Sequence, residues 1–209
     1  MKLWSSSWTN GDRIPSRYAA GKPDPQSTVT FSDNVNPHLA WSEVPAGAQS
    51  LVLICHDFDV PSRPDDVNKP DREVPENLPR IDFFHWVMVD LPPTLTQIGE
   101  GEFSRGFTAR GKSGPATLHG ARHGINDYTG WFASDKDMGG QYYGYDGPCP
   151  PWNDEIAHHY VFTVFALDVD RLAVEGAFTG QQVREAMRGH VLAQAAVTGR
   201  YTLNPSVRL

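Results

Sequence analysis

Asp57-Phe58-Asp59-Val60-Pro61 sets two carboxylates two positions apart and ends on a proline. On an extended backbone Asp57 and Asp59 share one face, while Phe58 points to the other. Two carboxylates side by side repel each other unless a cation or hydrogen-bond donor lies between them. Imidazoles meet that need, and two occur at comparable strand starts, His85 in Phe84-His85-Trp86 and His158 in His158-His159-Tyr160. A histidine held by a carboxylate has a fixed tautomer, and its other nitrogen is left to face a ligand. The stretch Gly144-Tyr145-Asp146-Gly147-Pro148-Cys149-Pro150-Pro151 would make a stiff wall, with Tyr145 and Trp152 adding apolar area. Together these parts describe a small polar pocket for an anion, with His85 and His158 as donors and Asp57 and Asp59 orienting them.

Taken singly, each part has a plainer explanation. Asp-X-Asp before proline commonly caps its own turn, and a histidine beside tryptophan is commonly a satisfied structural group. His56, His119, His123 and His190 have no pattern that lifts them above that level. Cys149 lacks any neighbour that would lower its pKa. Neither Cys55 nor Cys149 belongs to a CxxC pair, which argues against a zinc–thiolate centre, and reduced thiols are expected. A metal held by His85, His158 and a carboxylate is the remaining metal arrangement. It lacks the helix-borne spacing of HExxH. No cofactor is called for.

The elements that must position these residues are mostly strands. The chain has 209 residues, enough for one buried core and short for two domains, so a single domain over 1–209 is expected. Its 19 Gly and 17 Pro point to many turns. The continuous apolar run from Ser50 to Asp57 reads as a strand buried on both faces. Further strands are expected at Thr28–Phe31, up to Trp41, over Asp82–Leu91 and over His159–Asp168, which carries the strongest pattern. Between 62 and 82 lies a charged, proline-bearing excursion, read as exposed. One helix is expected, from Gln181 to about Ala195, with Thr179 as N-cap and Val183, Met187, Val191 and Ala195 on one face. Gly199 is then its stop before a last strand at Tyr201–Leu203. The fold class is mainly β. A net charge of −7 leaves no basic face for nucleic acid or an anionic membrane. No apolar run approaches a membrane span, and the N-terminus lacks a secretory core, so a cytoplasmic protein is expected.

The ordered set of motifs resembles the phosphatidylethanolamine-binding protein family, in its bacterial and archaeal Raf-kinase-inhibitor-like branch. The resemblance runs through Gly11–Pro15, Asn36–Trp41, Val44–Gly47, Asp57–Pro61, His85–Val87, Asn126–Tyr128, Gly144–Pro151, His158–Phe162 and Ala166–Asp168. It implies a large central antiparallel sheet, a second smaller sheet and peripheral helices, with an anion pocket at the sheet edge. By position Asp57, Asp59, His85 and His158 match the pocket carboxylates and histidines of the family, and Pro148 and Tyr160 the loop and strand that line it. Its members bind phosphate, acetate-like anions and phospholipid headgroups and are not established as catalytic. Two departures stand out. Phe58 replaces the usual proline between the aspartates, and His159 replaces the usual arginine, which removes a fixed charge. A long segment over 110–143 is placed to overhang the pocket.

A binding protein for a small anion or phosphate ester is the leading expectation. The rival is a hydrolase or lyase using the same His/Asp set as acids and bases. A third class is regulation of a kinase or protease through the surface, with 62–82 as the contact. For bacterial members the resemblance also suggests a homodimer.

Overall fold

A computed structural model describes all 209 residues. Ten strands form three antiparallel sheets: β1 Lys2–Trp4, β2 Gly21–Asp24, β3 Thr28–Phe31, β4 Leu39–Ser42, β5 Ser50–Pro61, β6 Arg80–Leu91, β7 Gln97–Ile98, β8 Arg122–His123, β9 His158–Leu167 and β10 Val191–Tyr201. The large sheet has the order β10-β9-β5-β6-β8, the smaller one β1-β4-β7, and β2 and β3 form a hairpin. Only two short α-helices occur, α1 Tyr128–Trp131 and α2 Gly180–Ala186. The fold is mainly β, with a large antiparallel sheet, a smaller sheet and few helices, as the sequence implies. No helix is long and apolar enough to cross a membrane.

β5 is central, and its apolar run is buried on both faces because each face has a core. Leu51, Leu53 and Cys55 join the larger cluster, with Trp86, Phe162 and Tyr145. Val52 and Ile54 join the smaller one, with Val87, Phe178 and Val183 from α2.

The single expected helix is corrected. Thr179 does cap it, in a capping box with Gln182, and Val183 and Met187 are buried, but α2 stops at Ala186. Gly189 turns the chain at φ +82°, and residues 191–201 form the edge strand β10 instead. The fourfold recurrence misleads because Val191 faces solvent. Beyond it Val197, Gly199 and Tyr201 alternate inward at the strand period. Gly199 is therefore no stop; it sits in mid-strand because a side chain there would strike Ile14 and Trp8.

The 62–82 excursion is also corrected. It ends at 79, since Arg80 opens β6, and Val74 within it is fully buried. Asn153 holds it down: its Nδ2 donates to the carbonyls of Asp66, Lys69 and Arg72, and its Oδ1 accepts from the Asn68 N–H at 2.9 Å.

Candidate functional site

The site begins with a defect in the sheet. Cys55 pairs with Trp86, but His56 pairs with Phe84, so His85 is an extra residue on β6. A compensating irregularity between Asp57 and Val60 on β5 restores the alignment beyond. Bulges re-aim side chains, and this one turns His85 to the same side as its neighbour Trp86. There its ring packs edge-on against Tyr160, centroids 5.1 Å apart, and against Tyr128 at 5.6 Å.

The loop that follows Gly144, which adopts φ +77°, zips onto His85. The Asp146 N–H donates to the His85 carbonyl at 3.1 Å, and the Asp146 carbonyl lies 2.8 Å from His85 Nδ1. Asp146 itself is fixed by Asn34, Asn126 and Lys112, at 2.7, 2.8 and 2.5 Å. A carbonyl oxygen only accepts, so His85 Nδ1 carries the proton. Burial pushes this imidazole down to about 4, with the Asp57 carboxylate pulling weakly the other way. His85 is therefore neutral, and its Nε2 is a bare acceptor.

His158 is the opposite case. Its Nδ1 lies 2.7 Å from Asp57 Oδ2 and its Nε2 3.1 Å from Asp154 Oδ2. Burial opposes charging it, but Asp57 and Asp154 outweigh burial and lift it to about 9. Arg80 closes the chain with a two-pronged bond to Asp154, at 2.6 and 3.0 Å. Against the cost of burial, His158 and Arg80 hold the Asp154 carboxyl below its usual range. The result is a buried row of alternating charge: Asp57, His158, Asp154, Arg80. The role expected of His158 is corrected accordingly. Both its nitrogens are spent on carboxylates, so it has no N–H for a ligand and no free lone pair for a metal.

Asp57, His85, His158 and Tyr160 come together around one cavity of about 500 Å³. Asp59 does not line it. Its carboxylate turns to His159, accepting from the backbone N–H at 2.8 Å and meeting Nδ1 at 2.9 Å, while Phe58 stacks flat on the His159 ring. The two departures from the family pattern are thus in contact with each other. Pro148 stands behind the wall, its carbonyl accepting from Ala20 and Gly21, and Cys149, Pro150 and Pro151 form the surface. Cys149 is reached by water yet crowded by protein, and that crowding pushes its thiol up to about 11.

Three buried side-chain atoms lack a hydrogen-bond partner, His56 Nδ1, Arg80 Nε and the Tyr160 hydroxyl, and of these residues only Tyr160 lines the cavity. The Tyr160 hydroxyl is fully buried and makes no well-formed hydrogen bond, with the Asp57 carboxylate as a neighbouring acceptor. Burial first, and then the nearby Asp57 carboxylate, push the phenol well above its ordinary range, so it remains a donor.

The sequence reading missed Asp154 and Arg80, and it missed the apolar side. The 110–143 segment supplies that side, placing Tyr128, Trp131 and Phe132 on the wall beside Phe83 and Ile81. Asp127 positions them: its side chain accepts the Phe84 N–H at 2.7 Å, and Tyr128 donates to the Gly147 carbonyl at 2.9 Å. The acidic residue four positions before His158 was the available signal for Asp154. Nothing comparable marked Arg80.

Comparison with known proteins agrees in one direction. The family model described as "Phosphatidylethanolamine-binding protein" matches residues 4–202. The UPF0098 protein YbhB of Escherichia coli is 31% identical over 202 residues, covering 97% of this chain and 100% of that protein. A UPF0098 protein of the archaeon Methanothermobacter thermautotrophicus is 31% identical over 201 residues, 96% of this chain and 98% of that one. A crystal structure described as a phosphatidylethanolamine-binding protein homologue from Chlamydia trachomatis superposes with a TM-score of 0.60 at 30% identity, covering 96% of this chain and 95% of that one. The Escherichia coli YbcL structure gives a TM-score of 0.66 at 22% identity, over 96% and 97% of the two chains, a likeness of fold.

Proposed function

Since the chain belongs to the phosphatidylethanolamine-binding protein family, we propose that its cavity is a binding site for an oxyanion carrying an apolar group, such as a phosphate monoester. The observation that carries this reading is the Tyr160 hydroxyl, a buried donor without a partner at the floor of an open cavity. Orphaned buried donors are rare and costly in native proteins. A ligand oxygen would relieve this one, with His85 Nε2 beside it as the second polar contact. Asp57 and His158 act through position: their charges cancel each other and fix the floor, and Asp59 extends the same support to His159. The Pro148 loop shapes the rim. Phe83, Tyr128 and Trp131 supply area for the apolar substituent.

Binding is favoured over hydrolysis or lysis because the one thiol on the wall, Cys149, is held protonated by burial and has no base beside it. Isothermal titration with phenyl phosphate tests the assignment. Tyr160→Phe removes one hydrogen bond to a charged group, about 1.5–3 kcal/mol, and so weakens binding roughly 10- to 100-fold. Undiminished affinity in Tyr160→Phe would refute the site. A gain for phenyl phosphate over inorganic phosphate is expected in the wild type and is reduced in Trp131→Ala.

A further inference from the structure

We propose that the cavity takes up its oxyanion together with one proton from solvent, which comes to rest between His85 Nε2 and the ligand. This deepens the binding reading above and rests on it. The argument is a count of donors at the floor. An oxyanion needs N–H or O–H groups, and the imidazoles are the natural source, yet neither has one to give. His158 spends both nitrogens on Asp57 and Asp154. His85 spends its only proton on the Asp146 carbonyl and faces the cavity with a lone pair. The Gly147 N–H, next along the loop, is taken by Asn34 at 2.8 Å. Among the buried side chains at the floor, Tyr160 alone is left with a free donor, while Ser62, Asn68 and Trp131 carry further donors elsewhere on the lining.

A fully ionised phosphate ester would set its oxygens against the His85 lone pair, acceptor to acceptor. One added proton turns that clash into a charge-assisted hydrogen bond. His85 can accept it. From β5 it faces the Asp57 carboxylate, which favours a positive ring; from β9 it faces the His158 imidazolium, which opposes one, and the neutral Tyr160 phenol. From α1 it meets the neutral Tyr128 ring, and from its own strand the Phe83 ring. The carboxylates of Asp82 and Asp127 and the protonated Cys149 thiol lie on the same cavity wall. What holds His85 neutral in the empty cavity is burial. An arriving anion is the countercharge that burial withholds.

A phosphate monoester has its second pKa near about 6, so at about pH 8 it is a dianion and the proton must come from the buffer. Titration of the wild type with phenyl phosphate at about pH 8, in two buffers of different ionisation enthalpy, measures that proton directly. Uptake approaching one proton is expected, with affinity falling about tenfold per pH unit between about pH 7 and 9. Equal heats in both buffers, with affinity flat across pH, would overturn the proposal and leave the binding site standing. An absence of phenyl phosphate binding would instead overturn the site and this inference with it. His85→Gln places a permanent amide N–H near the Nε2 position, so it is expected to bind without proton uptake. Full uptake in His85→Gln would move the proton to another group and refute the assignment to His85.

Discussion

His158 is a charged side chain with no contact to water, and that fact controls much of the residue-scale behaviour. Removing one partner from a buried ion pair leaves an uncompensated charge, which costs about 3–5 kcal/mol. Asp154→Ala strips a partner from His158 and from Arg80 at once, so a loss of that size is expected in urea unfolding. A change under about 1 kcal/mol would mean that the row of charges is solvated after all. The pH dependence has a definite sign. His158 is raised from 6.5 to about 9, so its contribution is complete below its unfolded value and vanishes as pH rises through about 9. His85 and His123 are lowered to about 4 and about 3, so the stability they carry is present above 6.5 and is lost as pH falls below it. The three histidines therefore place the stability maximum near their common unfolded value. An NMR titration should find the His158 ring still charged at about pH 8, and a neutral ring there would contradict the assigned contacts.

Elements were legible where one physical cause dominated. β3 matches its expected span, and β5, β6 and β9 appear where apolar runs with β-branched and aromatic residues place them. The α2 N-cap was legible from Thr179, but the helix's length was not, because Val191 and Ala195 continue the fourfold recurrence although they lie on an edge strand. Asp57, His85 and His158 were singled out because polar groups at strand ends are conspicuous, and Tyr160 through the family resemblance; all four line one cavity. Their pairing was not legible, because the bulge at His85 depends on how β6 pairs with β5, and the charges behind His158 depend on contacts spanning 74 and 101 residues. The 62–79 loop shows the same limit. Its composition is that of an exposed segment, and one side chain from the 150s, Asn153, fixes it. Asn153→Ala is therefore expected to open this loop to limited proteolysis while the large sheet keeps its hydrogen-exchange protection. Cleavage spread evenly over the chain would show that Asn153 supports the whole fold rather than the loop.

At the scale of the whole molecule, charge and site pull in opposite directions. The chain carries −7, and the cavity wall adds the carboxylates of Asp82 and Asp127 to a floor whose own charges cancel. Families that capture anions by long-range attraction place a basic field around the mouth; this molecule does not, for Arg80 is paired with Asp154 and Arg184 with Asp82. Selectivity must then come from short-range contacts at the floor and from the aromatic wall, and the approach of an anion is opposed by the surrounding field. Salt screens that field, with a Debye length near 10 Å at about 0.1 M. The association rate of phenyl phosphate should accordingly rise, a few-fold at most, as sodium chloride increases from about 20 to about 200 mM. A basic funnel would give the reverse. Stopped-flow quenching of the cavity-rim Trp131 can follow the rate, with Trp131→Phe as the control that identifies the signal. A rate that falls with salt would mean that the entering ligand meets net positive potential, and the account of capture by local contacts would fail.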